Sequence, residues 1–236
     1  LKKIGFCDDS FPWYKSKFKT FLWSVINPYS YLKPFSTLTT SDFFTPFLSQ
    51  AFHLSEKRIW QTGLPRCDAF YVKRNEEFIS SLRQKFKPVR IYLYMPTFRK
   101  ILDGNKSFNP FTADYNFDIY EFSSFLKREN IVFLYKAHFE DRNVRFNINS
   151  ERFLYITDDD FDDLYSLLSN VDSLITDYSS VFFDFIATQK PVYLFPFDYE
   201  AYLHNSRTHY FNMYEEMAGI VCKNWKDFYD KEPLIQ

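Results

Sequence analysis

Glycine is nearly missing from this sequence, with four residues in 236. That excludes a GxGxxG or Walker-type loop, which needs several glycines to bring backbone N–H groups against a phosphate. Any phosphate binding must therefore rely on Ser, Thr and helix ends. Cysteine is scarcer still: Cys7, Cys67 and Cys222 are odd in number and widely spaced, which fits neither a disulfide framework nor a zinc site and implies a reducing compartment. No apolar run reaches the roughly 18 residues needed to cross a bilayer, and no signal peptide is present. Excess charge is missing too. The net charge is -1 with both signs interspersed, so no nucleic-acid partner is expected. There is no G-x-S-x-G elbow, no HExxH and no set of paired carboxylates with supporting histidines, and neither a metal nor another cofactor is expected. The DDDFDD run at 158–163 reads as a solvated helix start. A cytosolic protein, or one attached to a membrane face, follows from these absences.

Aromatic residues, by contrast, make up 22% of the chain. The most informative stretch is 172–200, DSLITDYSSVFFDFIATQKPVYLFPFDYE. Leu174 and Ile175 end a buried strand at Thr176 and Asp177. A helix with apolar Val181, Phe182, Phe185 and Ile186 follows Ser179 and Ser180, and Val192–Phe195 is a second buried strand. This β-α-β unit puts its polar turn at the carboxyl edge of a sheet, where open α/β folds bind ligands, and the helix start aims N–H groups at the same crevice. A plain crossover capped by Ser179 would read the same way.

From Lys87 and Pro88 onward strands and helices alternate: RIYLYMP, then NFDIYEFSSFLKREN, IVFLYKAH, RFLYIT and DDFDDLYSLLSNV. Such alternation predicts an α/β fold with a doubly wound parallel sheet. The segment 73–88 reads as a bridging helix and linker, dividing the chain into domains 1–84 and 85–236. In the first part LTTSDFFTPFLSQAF predicts a strand end and a helix capped near Ser41 or Asp42, and RIWQTGLPRCDAF a strand, a turn and a short helix. Residues 11–35 place Tyr14, Phe18, Phe21, Leu22 and Val25 on one helical stripe with Lys15, Lys17 and Lys19 elsewhere. Either an interfacial membrane helix or one packed on its own domain has that pattern.

Polar residues converge where the strands of the second half end: Thr97 and Arg99 after YLYMP, Lys136 and His138 in FLYKAH, Thr157 and Asp158 after FLYI, and Asp177, Ser179 and Ser180 after SLIT. His138 suits a proton donor or shuttle for a phosphate or hydroxyl, and Arg99 a bidentate clamp on phosphate or carboxylate. Downstream, His204, Arg207 and His209 lie in a segment with few helix signals, soon after the candidate anion turn.

The segments TSDFF, TGLPRCD, YMPTFR, KAH, TDYSSVFFDF, KPVYLFPFDYEAY and R-x-x-Y-F occur in that order over nearly the whole chain. They resemble the CDP-glycerol glycerophosphotransferase family, the teichoic acid and capsule polymerases of GT-B fold. The resemblance implies two Rossmann-like domains, of which residues 1–84 are the end of the first and 85–236 the donor nucleotide-binding second. It implies transfer of glycerol phosphate, or a related alditol phosphate, from CDP-glycerol to a hydroxyl of a lipid-linked or polymeric acceptor, at the cytoplasmic face of the membrane and without a metal. It assigns His138 and Arg207 to catalysis, the latter approaching the donor phosphates. Ser179 and Ser180 match the family's diphosphate-binding turn, and the strand-end residues Thr97, Arg99, Lys136, Thr176 and Asp177 complete the donor-binding candidates from the reading of the residues themselves. A GT-B glycosyltransferase using a nucleotide sugar, or a nucleotide-binding module without turnover, are the alternatives. Cys67 stands where the family usually has Asn. LKKIG follows, in the family, a Trp-His-Gly-Thr-Pro motif whose histidine is the expected base, so an N-terminally truncated chain is expected.

Overall fold

The computed structural model describes residues 25–26, 34–72, 76–87, 89–97, 108–138, 141, 144–205, 210–216 and 219–235. The helical stripe expected within residues 11–35 lies outside them, apart from Val25. The chain divides into two compact units. One holds residues 1–65 and 200–213, the other 66–199 and 214–236.

In the first unit β1 (Thr37–Thr39) pairs in parallel with β2 (Ile59–Gln61). The connection expected to be a helix capped at Ser41 or Asp42 begins instead with a 3₁₀ turn, Asp42–Phe44, and only then becomes α1 (Thr45–Phe52). Ser41 is extended and makes no side-chain cap, while Pro46 occupies the first helical turn, where its missing N–H costs nothing. His53 ends α1 in the left-handed conformation, at φ 50°. Phe43, Phe44 and Phe47 gather around Phe211 with ring centroids 5.2–6.5 Å apart.

The second unit starts within a 3₁₀ segment, Pro65–Tyr71, followed by α2 (Glu77–Lys85). It is organised on a six-stranded sheet whose paired strands are all parallel. Its members are β3 (Arg90–Met95), β4 (Ile131–Tyr135), β5 (Phe153–Tyr155), β6 (Ser173–Thr176), β7 (Val192–Leu194) and β8 (Ile220–Val221), in the spatial order β5-β4-β3-β6-β7-β8. Side chains alternate across the strands, and the two faces are filled differently. Tyr92, Tyr94, Phe133, Tyr135, Ile175, Tyr193 and Phe195 share one aromatic core with Phe122, Phe125 and Leu126 of α3 (Ile119–Arg128) and Trp225, Phe228 and Tyr229 of the C-terminal helix α8 (Trp225–Lys231). Between those two helices in the sequence come α4 (Leu164–Asn170), α5 (Val181–Phe185), α6 (Tyr199–Asn205) and α7 (Met213–Glu216). Ile91, Leu93, Val132 and Leu134 turn to the opposite face and are as deeply buried, so the sheet is covered on both sides.

The aromatic face explains where so many rings go. Phe111 alone lies within 6.4 Å, centroid to centroid, of Tyr94, Phe117, Phe122, Tyr135, Phe146, Phe153 and Trp225. Most of these pairs are edge-to-face or tilted, the arrangement that ring quadrupoles favour. The Trp225 indole N–H reaches the Pro110 carbonyl at 2.7 Å, so its burial leaves no unpaired donor.

At the amino edge of the sheet Glu232, fully buried after α8, accepts from Arg90 and from the Tyr92 hydroxyl at 2.6 Å. Arg90 also donates to the Glu129 carbonyl at 2.7 Å. The chain end is thereby tied to the first residues of β3. Burial is the main cause that pushes the Tyr92 phenol far above its ordinary range, and it acts here as a neutral donor. Lys190, whose pKa burial lowers, donates to the carbonyls of Ser169 and Val171 at 2.6 and 2.7 Å and closes the end of α4.

Candidate functional site

The sheet order contains one reversal. From β3 the chain winds outward through β4 to β5, whereas β6 returns beside β3 and the chain then winds the other way through β7 to β8. Strands wound in opposite directions from a common pair leave a crevice outside their carboxyl ends, since their crossovers go to opposite faces. Of the expected site residues, Thr97, Lys136, Thr176 and Asp177 end or follow the strands that meet there. Met95 is opposite Thr176 in the β3–β6 ladder, and Tyr94 is opposite Tyr135 in the β3–β4 ladder. The segments leaving β4, β3 and β6 thus start at one level, on neighbouring strands.

Hydrogen bonds fix these ends to each other. Asp177 has no exposed surface; its Oδ1 accepts from the backbone N–H of Thr97 at 2.8 Å and from that of Tyr178. Thr176 donates its hydroxyl to the Met95 carbonyl at 2.7 Å. Thr97, Thr176 and Asp177 therefore come together, and in this arrangement the last two hold the loop after β3 against the turn after β6. The Tyr178 hydroxyl meets Asp198 at 2.9 Å, and its ring stacks on Tyr199 with Tyr214 edge-on, so the turn is braced from its far side.

Ser179 is half-buried and Ser180 exposed. Ser180 precedes α5 in helical conformation without a side-chain cap, while among the described residues the Ser179 hydroxyl accepts only from the Val181 N–H, at 3.5 Å. The helix itself is short. Its five residues run into a 3₁₀ turn, Ile186–Thr188, that closes on Gln189 at φ 58°. Lys136 is mostly buried, pairs with Asp158 at 2.8 Å and approaches the Phe161 ring. His138, exposed three residues beyond β4, accepts from the Asp141 N–H through its carbonyl. Thr157 is occupied by Asp160, which accepts from both its N–H and its hydroxyl. Arg99, Arg207 and His209 lie outside the described residues, as does the side chain of His204. Among the described residues no group of three or more His, Cys, Asp or Glu stands at metal-binding spacing.

One cluster joins two of the motifs without having been expected to. Asp184, on α5 and only slightly exposed, accepts from Arg66 through both oxygens, Nε to Oδ2 and Nη2 to Oδ1, each at 3.0 Å. The Tyr165 hydroxyl adds a third bond at 2.8 Å, and the Cys67 thiol lies 3.7 Å from Oδ1. The hydrogen bond with Asp184 raises the Arg66 pKa further, while burial first and Asp184 second raise the Tyr165 phenol and the Cys67 thiol. At neutral pH all three are donors to one carboxylate. TGLPRCD and TDYSSVFFDF are thus fastened to each other through Arg66 and Asp184. The sequence signal was the charge of Asp184 on the apolar side of a short helix, which requires a partner.

The family model for CDP-glycerol:poly(glycerophosphate) glycerophosphotransferase matches residues 1–232. The chain belongs to this glycerophosphotransferase family. The resemblance read from the ordered motifs is thereby borne out. Among curated members, the teichoic acid ribitol-phosphate primase of Bacillus spizizenii is 30% identical over 224 residues, 88% of this chain and 55% of its own length. The teichoic acid glycerol-phosphate primase of Bacillus subtilis is 28% identical over 236 residues, all of this chain and 55% of its own. The ribitol-phosphate polymerase TarL of Staphylococcus aureus is 29% identical over 186 residues, 75% of this chain and 31% of its own. The chain thus spans about half, or less, of the length of these glycerophosphotransferase relatives. Among solved structures, the wall teichoic acid polymerase TagF soaked with CDPG superposes with a TM-score of 0.72 at 23% identity, over 100% of this chain and 56% of that one. The α/β, GT-B type fold class read from the sequence holds.

Proposed function

We propose that this chain supplies the donor site of a transferase that moves glycerol phosphate, or a related alditol phosphate, from its CDP-activated form to a hydroxyl of a teichoic acid polymer. The observation that carries this reading is the reversal of strand order between β3 and β6, with Thr97, Thr176 and Asp177 tied together at its carboxyl edge. Family membership and the CDPG soak of TagF support the identity of the donor.

The acceptor oxygen attacks the phosphorus that carries the alditol, the new P–O bond forms, the bond to the bridging oxygen breaks, and CMP leaves with the electron pair. The hydroxyl proton passes to a base. Negative charge grows on the phosphoryl oxygens and on the leaving CMP, and positioned N–H donors and cations stabilise it more than they stabilise the bound donor. Ser179 and Ser180 supply the turn, Lys136 and His138 the described cationic or proton-donating side chains, and Arg99 and Arg207 two further cations. The reading includes a lipid-linked or polymeric acceptor and a place at the inner face of the cell membrane.

Titration with labelled CDP tests it, in the protein as its gene encodes it. Saturable binding is expected, weakened by roughly tenfold or more when Ser180→Asp puts a carboxylate beside the phosphates. A donor survey with CDP-glycerol, CDP-ribitol and UDP-sugars completes the test. Turnover only with a UDP-sugar would make the enzyme a glycosyltransferase, and unchanged CDP affinity in the Ser180→Asp protein would put the site elsewhere.

A further inference from the structure

We infer that Arg66 is a further anion-binding residue of this site, its guanidinium clamped by Asp184 so that Nη1 faces a phosphate of the nucleoside diphosphate next to Ser180. The inference rests on the donor reading above and adds to it a residue from a distant part of the sequence.

Ser180 and Asp184 are four residues apart, so they lie on one face of α5. A helical side chain leans toward the N-terminus and covers the turn before its own Cα. By that rule the Asp184 side chain leans toward the first turn of α5, which directs what it holds toward the Ser180 end.

What it holds is an arginine bound from one side. Nε and Nη2 both go to Asp184, a bidentate grip that fixes the guanidinium plane. Of the five N–H donors of an arginine this uses two. Nη1 has no hydrogen-bond partner among the described residues, and the side chain is 49% exposed while Asp184 is 6% exposed. A pair built only to tie the 3₁₀ segment 65–71 to α5 needs no such asymmetry. Asp184 is instead filled, since Tyr165 and Cys67 bring it further donors. They hold the carboxylate still, and through it the guanidinium. An immobilised, half-exposed arginine with unused N–H donors suits planar recognition of a phosphate oxygen, which a lysine at the same place reproduces poorly.

The experiment compares Arg66→Lys, Arg66→Gln and Tyr165→Phe with the parent protein, reading melting temperature and the affinity for CDP and for pyrophosphate at low and high salt. Arg66→Lys keeps a cation against Asp184 and is expected to melt close to the parent, yet to bind CDP and pyrophosphate roughly tenfold more weakly. Arg66→Gln should bind as weakly and lose part of the salt dependence of affinity. Tyr165→Phe takes one donor from Asp184 while the bidentate grip on the guanidinium stays, so it should melt lower and weaken CDP binding by less than Arg66→Lys does. Parent-like CDP affinity in Arg66→Lys overturns the inference and leaves the pair structural, whether or not Arg66→Gln folds. A parent protein that binds no CDP at all overturns the donor reading itself, and this inference with it.

Discussion

Asp177→Ala is expected to abolish detectable CDP binding and to lower the melting temperature by roughly 6–12 °C. The carboxylate is completely buried and accepts two backbone N–H groups, those of Thr97 and Tyr178. Hydrogen bonds to a charged group contribute about 1.5–3 kcal/mol each, and alanine leaves both donors buried without that acceptor. A loss of about 3 kcal/mol or more follows, and each kcal/mol shifts a unit of this size by roughly 2–4 °C. The effect on binding is the larger consequence, because these two bonds register the loop after β3 against the turn that leads into Ser179 and Ser180. Asp177→Asn keeps an oxygen where Oδ1 stands and should recover most of both properties. An alanine protein that melts and binds CDP like the parent would mean that the two loops are held by other means.

Glu232→Ala should destabilise the second unit by about 3–5 kcal/mol without changing the chemistry at the carboxyl edge. Removing the fully buried member of an ion pair costs this much because its donors lose their acceptor, here the Tyr92 hydroxyl and Arg90, which retains only the Glu129 carbonyl and, at 3.8 Å, the Glu129 carboxylate. The second carboxylate oxygen, Oε2, is buried with no hydrogen-bond partner among the described residues, where the pair is stabilised through Oε1 alone. For that reason the triple change Arg90→Met, Tyr92→Phe and Glu232→Leu is expected to recover most of the lost stability, as apolar groups of similar volume commonly do. Chemical denaturation followed by circular dichroism checks both statements. A single alanine variant within 1 kcal/mol of the parent would show that Arg90 is solvated once Glu232 is gone.

The second-half sheet was legible because its strands announce themselves. RIYLYM, IVFLY, FLY, SLIT and VYL are short apolar runs between helical patterns, and all five are strands in the parallel sheet. The C-terminal tail was not read, although Asn224 followed by Trp225, Phe228 and Tyr229 carries a cap and an i, i+3, i+4 apolar stripe. Glu232 could not be read at all. Nothing local distinguishes it from the chain's other acids, and its burial depends on Arg90, 142 residues away. The same holds at the site. Asp177 and the serines were marked by their place after a buried strand, but the role of Asp177 as an acceptor for the Thr97 N–H depends on β6 lying beside β3, a fact of topology. Arg66 and Asp184 each stood inside a quoted motif, yet no spacing rule connects positions 118 residues apart.

Scarce glycine has a consequence at the ends of helices and turns. His53, Asn116, Asn130 and Gln189 all take positive φ, between 50° and 58°, at positions where many proteins place glycine. An L-residue pays for that conformation, least for asparagine, which bonds locally to its own backbone, and more for histidine and glutamine. The chain therefore carries unrelieved torsional cost at its helix ends, beside strands that are otherwise fully packed. Seen by an engineer, His53 and Gln189 are the places where stability remains to be gained by a change that alters no side-chain contact in the core and leaves the carboxyl edge of the sheet untouched.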